Sequence, residues 1–302
     1  MSIFLERKCT WDDPGHYTLP MDHPIAIENI KRHVSPSKIY HEMFNEDERT
    51  EIWKSAFVDM GLPRYNRNGT VLIDSDLQQV YDRYKSKIDN CINNASDSPC
   101  IGGNYYITPQ QYGVHNDTMR RVGYNRMLEN IPLNHPQRKY TPGKVILIPL
   151  WTGTHFDEID GGQLVLFKQR EIGWAKVYNN KKETKNIASI YDIVTDYSAL
   201  QFYDEYGNEI PKEKNLIPFD KELHKKYINS PYNRVEGLSI ELVEDWVPGS
   251  AFVFDTVQLH YSNEGTKEKG YKTWNAKMGV FLLFLIELDD DLLIEWRKEQ
   301  KL

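Results

Sequence analysis

Lys144-Val145-Ile146-Leu147-Ile148-Pro149-Leu150-Trp151 is the stretch on which the fold turns. It is apolar, strand-sized and rich in β-branched residues, which suit a pleated, buried surface. Similar stretches lie on both sides of it: Asn104 to Thr108 upstream, then Gly162 to Lys168, Ser239 to Val243, Ser250 to Phe254 and Lys277 to Glu287 downstream. Gly, Pro, Asn and Asp separate them. Short strands punctuated in this way predict an all-β sandwich or barrel.

Two amphipathic helices precede the strands. The first spans roughly Glu46 to Met60, with Asn45 as N-cap and Glu48 three residues on, the spacing of a capping box. Ile52, Trp53, Ala56, Phe57 and Met60 form its apolar face, and Gly61 stops it. The second spans roughly Ser75 to Ile92, with Leu77, Val80, Tyr81, Tyr84, Ile88, Cys91 and Ile92 at helical spacing. Each apolar face needs a partner, and a β-sheet is the expected one. Residues 1–39 read as an irregular N-terminal arm. Residues 40–302 read as a single domain: supporting helices over 40–100, a β core over 101–287 and a C-terminal tail over 288–302. Residues 169–237 are polar, rich in Lys, Asn and Tyr, and hold one possible short helix at Asp220 to Ile228. They read as a large insertion, expected to act as a lid over the barrel mouth.

The bulk numbers exclude several function classes. Of 302 residues, 40% are apolar and 12% aromatic, enough for a packed core. No apolar run is long enough to cross a membrane as a helix, and the first residues show no secretory pattern. Cys9, Cys91 and Cys100 form no CxxC pair, and their odd number argues against a disulfide framework, so a cytoplasmic setting is expected. A net charge of −7 without a basic stripe argues against a duplex nucleic-acid binder.

The chemistry concentrates in two places. His115-Asn116-Asp117 sets an imidazole and a carboxylate two residues apart, on one face of a strand. His260 follows the Pro248-Gly249 strand. Two imidazoles and one carboxylate make the facial triad of non-haem iron(II) oxygenases, which leaves coordination positions open. A second HxD, His155-Phe156-Asp157, shows that the short motif also arises by chance.

The order of the motifs separates the two copies. A strand leads into His115-Asn116-Asp117; Lys144 to Leu150 follows, then Gly161-Gly162-Gln163-Leu164, then Pro248-Gly249, then His260, then Lys277 ahead of Met278-Gly279-Val280-Phe281. From about Tyr40 to Ile286 this order resembles the prolyl-4-hydroxylase-like branch of the 2-oxoglutarate/iron(II)-dependent oxygenases. The resemblance implies a double-stranded β-helix, a jelly-roll barrel with flanking helices. It implies Fe(II) held by His115, Asp117 and His260, with 2-oxoglutarate and O2 as co-substrates, and it puts His155 in a loop that carries no ligand. It further implies a cation and a hydroxyl for the far carboxylate of 2-oxoglutarate. Lys277, which opens an apolar strand, is preferred over Lys267, Lys269 and Lys272, and Tyr106 is the preferred hydroxyl. Arg120 and Arg121 are suited to clamp an anionic group of the substrate, a small molecule or a peptidyl residue. Asp117 fills the position that halogenating relatives leave to chloride, so hydroxylation is the expected outcome. A jelly-roll metal enzyme that does not use 2-oxoglutarate and a non-catalytic binding module are the competing readings.

Overall fold

The computed structural model describes residues 23–58, 64–65, 71–73, 77–92, 100–108, 112–117, 140–152, 162–172, 201–228, 232, 235–263 and 277–299. In chain order the elements are α1 (Pro24–His33), β1 (Lys38–Tyr40), α2 (Glu46–Val58), β2 (Arg64–Tyr65), β3 (Val71–Ile73), α3 (Leu77–Ile92), β4 (Cys100–Thr108), β5 (Tyr112–His115), β6 (Tyr140–Thr152), β7 (Gln163–Glu171), β8 (Phe202–Tyr203), β9 (Glu209–Ile210), α4 (Lys221–Tyr227), β10 (Ile240–Asp245), β11 (Ala251–Asp255), β12 (Gln258–Ser262), β13 (Lys277–Glu287) and α5 (Asp290–Glu299).

The strands form two antiparallel sheets. One runs β1-β11-β6-β13-β4-β3-β2; the other runs β5-β12-β7-β8-β9, with β10 also on β7. From β4 to β13 the chain passes back and forth between them. β4, β6, β11 and β13 lie in the first sheet, and β5, β7, β10 and β12 in the second. This winding is the double-stranded β-helix expected from the sequence.

Side-chain alternation on β13 explains how the sheets are filled. Val280, Leu282 and Phe284 point outward and join Ile52 of α2 and Val80, Tyr81, Tyr84 and Ile88 of α3. Phe281, Leu283 and Leu285 point inward, where they meet Val145, Leu164, Leu166, Phe252 and Phe254. The two helices therefore cover the back of the first sheet, as their apolar faces required. The capping box at the start of α2 is present: Asn45 Oδ1 accepts from the Glu48 amide and Glu48 Oε2 from the Asn45 amide, both at 2.9 Å.

Two expectations need correction. The N-terminal arm is not irregular where it is described, because Pro24–His33 is a helix. Pro24 opens it with a pre-set φ, and His23 caps it through Nδ1. Its Ile25 and Ala26 pack with Leu292 and Trp296 of α5, so the C-terminal tail is also a helix over Asp290–Glu299. Next to α1, β1 extends the first sheet by pairing with β11. Second, residues 169–171 belong to β7 and not to the insertion. The described later part of the insertion packs on a sheet. Phe202, Phe219, Ile228, Val235 and Leu238 pack on Val165, Phe167, Leu259 and Tyr261, the outer face of the second sheet. The short helix appears there as α4, capped by Asp220. Residues 173–200 of the insertion lie outside the described residues.

Candidate metal centre

β5 is only four residues long and ends on His115. It pairs with β12 so that His115 stands opposite His260. Directly opposite residues share a face of the sheet, and the two imidazoles meet with ring centroids 4.0 Å apart. The chain leaves β5 through Asn116, and the Asp117 amide donates to Thr256 O at 3.1 Å in the turn between β11 and β12. That bond folds Asp117 back beside the histidines. Its carboxylate oxygens lie 3.8 Å from His115 Nε2 and 3.8 Å from His260 Nε2. One ligand atom from each residue falls within 4.8 Å of the others.

Burial and hydrogen bonding prepare these groups. His115 and His260 are each 5% exposed. His260 Nδ1 lies 3.1 Å from Gln258 O. A carbonyl only accepts, so Nδ1 carries the proton and Nε2 keeps its lone pair for an ion. The ring also lies 4.8 Å from that of Phe254, which walls the site on the barrel side. Two imidazole nitrogens and one carboxylate oxygen gathered in this way suit a divalent transition ion with coordination positions to spare.

A second buried group gathers around Trp246. Lys277 opens β13 between Thr108 of β4 and Thr152 of β6. It is 3% exposed, its ammonium donates to Asn263 O, and it stands 5.5 Å above the Trp246 ring. Tyr106 of β4 meets the same indole edge-on at 5.9 Å. Its hydroxyl is buried with no hydrogen-bond partner among the described residues, and the same holds for Trp246 Nε1. Burial pushes the Tyr106 pKa well above 10, and the Asp117 carboxylate pushes it further in the same direction. The phenol therefore stays a donor. A buried ammonium beside two orphaned donors, on the inner face that carries the triad, fits an anion with several acceptor oxygens. That is the need of a dicarboxylate such as 2-oxoglutarate.

Of the residues expected at the site, His115, Asp117 and His260 come together, and Lys277 and Tyr106 gather around Trp246. Arg120 and Arg121 lie outside the described residues, as do His155, which was expected to carry no ligand, and the rival lysines Lys267, Lys269 and Lys272. Sequence reasoning did not single out Trp246, because a tryptophan beside a strand reads as core. Its position two residues before Pro248-Gly249 was the one available signal.

No family model and no curated protein matches this chain. Solved structures similar to it include EvdO2 from Micromonospora carbonacea var. aurantiaca complexed with 2-oxoglutarate, at 12% identity over 87% of this chain and 92% of that one, TM-score 0.38. Another is the non-heme alpha ketoglutarate dependent carbocyclase SnoK from nogalamycin biosynthesis, at 9% identity over 89% and 86%, TM-score 0.41. A third is a Pseudomonas putida prolyl-4-hydroxylase, at 11% identity over 85% and 95%, TM-score 0.36. These likenesses are of fold outline and give no residue of this chain a role.

Proposed function

We propose that the protein is a non-haem Fe(II), 2-oxoglutarate-dependent dioxygenase that hydroxylates an unactivated C–H bond of a small molecule or peptidyl residue. The observation that carries this reading is the convergence of His115, Asp117 and His260 on one point inside a double-stranded β-helix. His115 Nε2, His260 Nε2 and an Asp117 oxygen would hold the iron. Lys277 binds the far carboxylate of 2-oxoglutarate by charge, Tyr106 donates its unpartnered hydroxyl to it, and the apolar inner wall excludes water. Arg120 or Arg121, close after Asp117 in the chain, clamps an anionic group of the substrate. Iron and 2-oxoglutarate, when bound, supply O2 activation coupled to release of succinate and CO2, with transfer of one oxygen atom to the substrate. The protein contributes position, because the reacting C–H bond would have to be held beside His115, Asp117 and His260.

The test is succinate formation that requires Fe(II), O2 and 2-oxoglutarate together, coupled to a product that gains one oxygen atom from labelled O2. His115→Ala and His260→Ala are expected to lose both iron binding and succinate formation, while His155→Ala keeps iron. Turnover independent of 2-oxoglutarate, or a chlorinated product when chloride is present, contradicts the proposal.

A further inference from the structure

Behind the triad lies a buried charge cluster that the proposed reaction does not use. Arg170 of β7 pairs in register with Gln258 of β12 and is fully buried. Its Nε donates to Asp255 Oδ2 at 3.0 Å, Nη1 to Glu241 Oε2 at 2.5 Å and to Lys168 O at 2.7 Å, and Nη2 to Ser35 O at 3.0 Å. Lys144 places a second cation on Asp255 and donates to Ser35 Oγ at 2.8 Å. Glu241 Oε2 also accepts from Gln258 Nε2 at 3.1 Å, and that nitrogen donates to Phe167 O at 2.8 Å. Ser37 Oγ donates to Gln258 Oε1 at 2.9 Å. Burial opposes charge on Arg170, but Asp255 and Glu241 outweigh it and hold the guanidinium pKa above its usual value.

A buried ion cluster of this kind is weak support for stability, since desolvation consumes most of the Coulomb gain. Its position suggests another use. It closes around residues 255–258, the turn whose carbonyls hold two of the three candidate ligands. Thr256 O accepts from the Asp117 amide, and Gln258 O faces His260 Nδ1. Thr256 is itself tied down, because its amide and its hydroxyl both donate to Gly143 O at 2.8 Å. Glu171, next to Arg170, holds the same region from the other side. Its Oε2 accepts from Nδ2 of Asn116, the residue between His115 and Asp117, and its amide donates to Val257 O.

We infer that Arg170 is a positioning residue for the metal centre, its ion cluster with Asp255, Glu241 and Lys144 setting the turn that orients Asp117 and His260. The inference rests on the reading of the triad as a metal site. Outer groups that orient ligands typically change metal affinity 10- to 100-fold when removed.

The test is a titration of the purified full chain with Co(II) alone, reading the dissociation constant, the visible ligand-field spectrum at saturation and the thermal midpoint. Arg170→Met is expected to weaken Co(II) binding about 10- to 100-fold and to change the spectrum. Because that variant leaves Glu241 without its cation and Asp255 with Lys144 alone, it can fail to fold, so the paired change Arg170→Met with Glu241→Met removes one charge of each sign. The pair is expected to fold with a midpoint near the parent's while binding Co(II) more weakly and with an altered spectrum. A purely structural cluster would move the midpoint and leave the spectrum of the folded protein unchanged. A paired variant with the parent's affinity and spectrum overturns the inference. Absence of Co(II) binding in the parent protein overturns the metal reading itself.

Discussion

Lys277 and Tyr106 make different contributions to the same proposed anion, and substitution separates them. Lys277→Ala removes a charged hydrogen-bond donor, a loss of roughly 1.5–3 kcal/mol, so 2-oxoglutarate affinity is expected to fall about 10- to 100-fold while iron affinity holds. Tyr106→Phe removes a neutral hydroxyl, so the expected loss of affinity is smaller, roughly 2- to 10-fold. Without ligand that hydroxyl is buried with no partner among the described residues. Its removal is therefore expected to leave the thermal midpoint unchanged or raised, which calorimetry on the ligand-free protein would check. A lowered midpoint with unchanged 2-oxoglutarate affinity would make Tyr106 a packing residue only. At this scale much of the site was legible in the sequence, because ligand chemistry is a matter of residue type and spacing. The groups behind the ligands were not. Arg170, Glu241 and Gln258 are far apart in the chain and resemble ordinary strand residues until β7, β10 and β12 bring them together.

The elements found from sequence are those whose pattern burial alone explains. α2, α3, β6 and β13 carry apolar residues at clear helical or strand spacing. The strands that went unread are short or carry chemistry. β12 reads Gln-Leu-His-Tyr-Ser, with Gln258 in the charge cluster and His260 at the site, so its polar residues conceal a strand that is wholly buried. β5 has four residues, too few for a period to show. Function and pattern conflict where the site is built. Two substitutions test elements directly. Asn45→Ala deletes half of the capping box on α2, with an expected cost of about 1 kcal/mol, or a midpoint lower by roughly 2 °C for a chain of this size. Burial raises the Glu48 pKa, but Lys87 and the Asn45 amide lower it more, leaving it below its ordinary 4.5. A depressed carboxyl stabilises the fold above its ordinary pKa and loses that contribution as pH falls through its folded value. The Glu48 carboxylate bonds the Asn45 backbone amide and Lys87, which Asn45→Ala keeps, so parent and variant should both lose stability in acid below about pH 4.5 while the difference between them holds. On β13, a Cβ at Gly279 would fall on the Tyr106 hydroxyl and 2.7 Å from Ile148 O. Gly279→Ala is expected to displace Tyr106, lowering both the thermal midpoint and 2-oxoglutarate affinity. Unchanged affinity would place Tyr106 away from the co-substrate.

The whole molecule is organised as a barrel whose outer faces are both covered: helices α2 and α3 on the first sheet, the segment from Phe202 to Leu238 on the second. Covering both backs leaves the interior as the place where polar groups can meet a ligand, and His115, His260, Tyr106 and Lys277 are all buried. No described helix is long and apolar enough to cross a membrane. The jelly-roll winding followed from motif order, whereas the use of the insertion as a sheet cover did not, because its scattered Phe219, Ile228, Val235 and Leu238 form an apolar face only after folding. The central claim is that one ion sits on His115, Asp117 and His260 with 2-oxoglutarate chelated to it and anchored on Lys277. Its most direct test is an anaerobic titration of 2-oxoglutarate into the Fe(II)-loaded protein, followed by visible absorption. The account predicts a metal-to-ligand charge-transfer band that saturates with 2-oxoglutarate, is absent in His260→Ala, and needs about 10- to 100-fold more 2-oxoglutarate in Lys277→Ala. No band in the parent protein with Fe(II) and excess 2-oxoglutarate, or an undiminished band in His260→Ala, would contradict it.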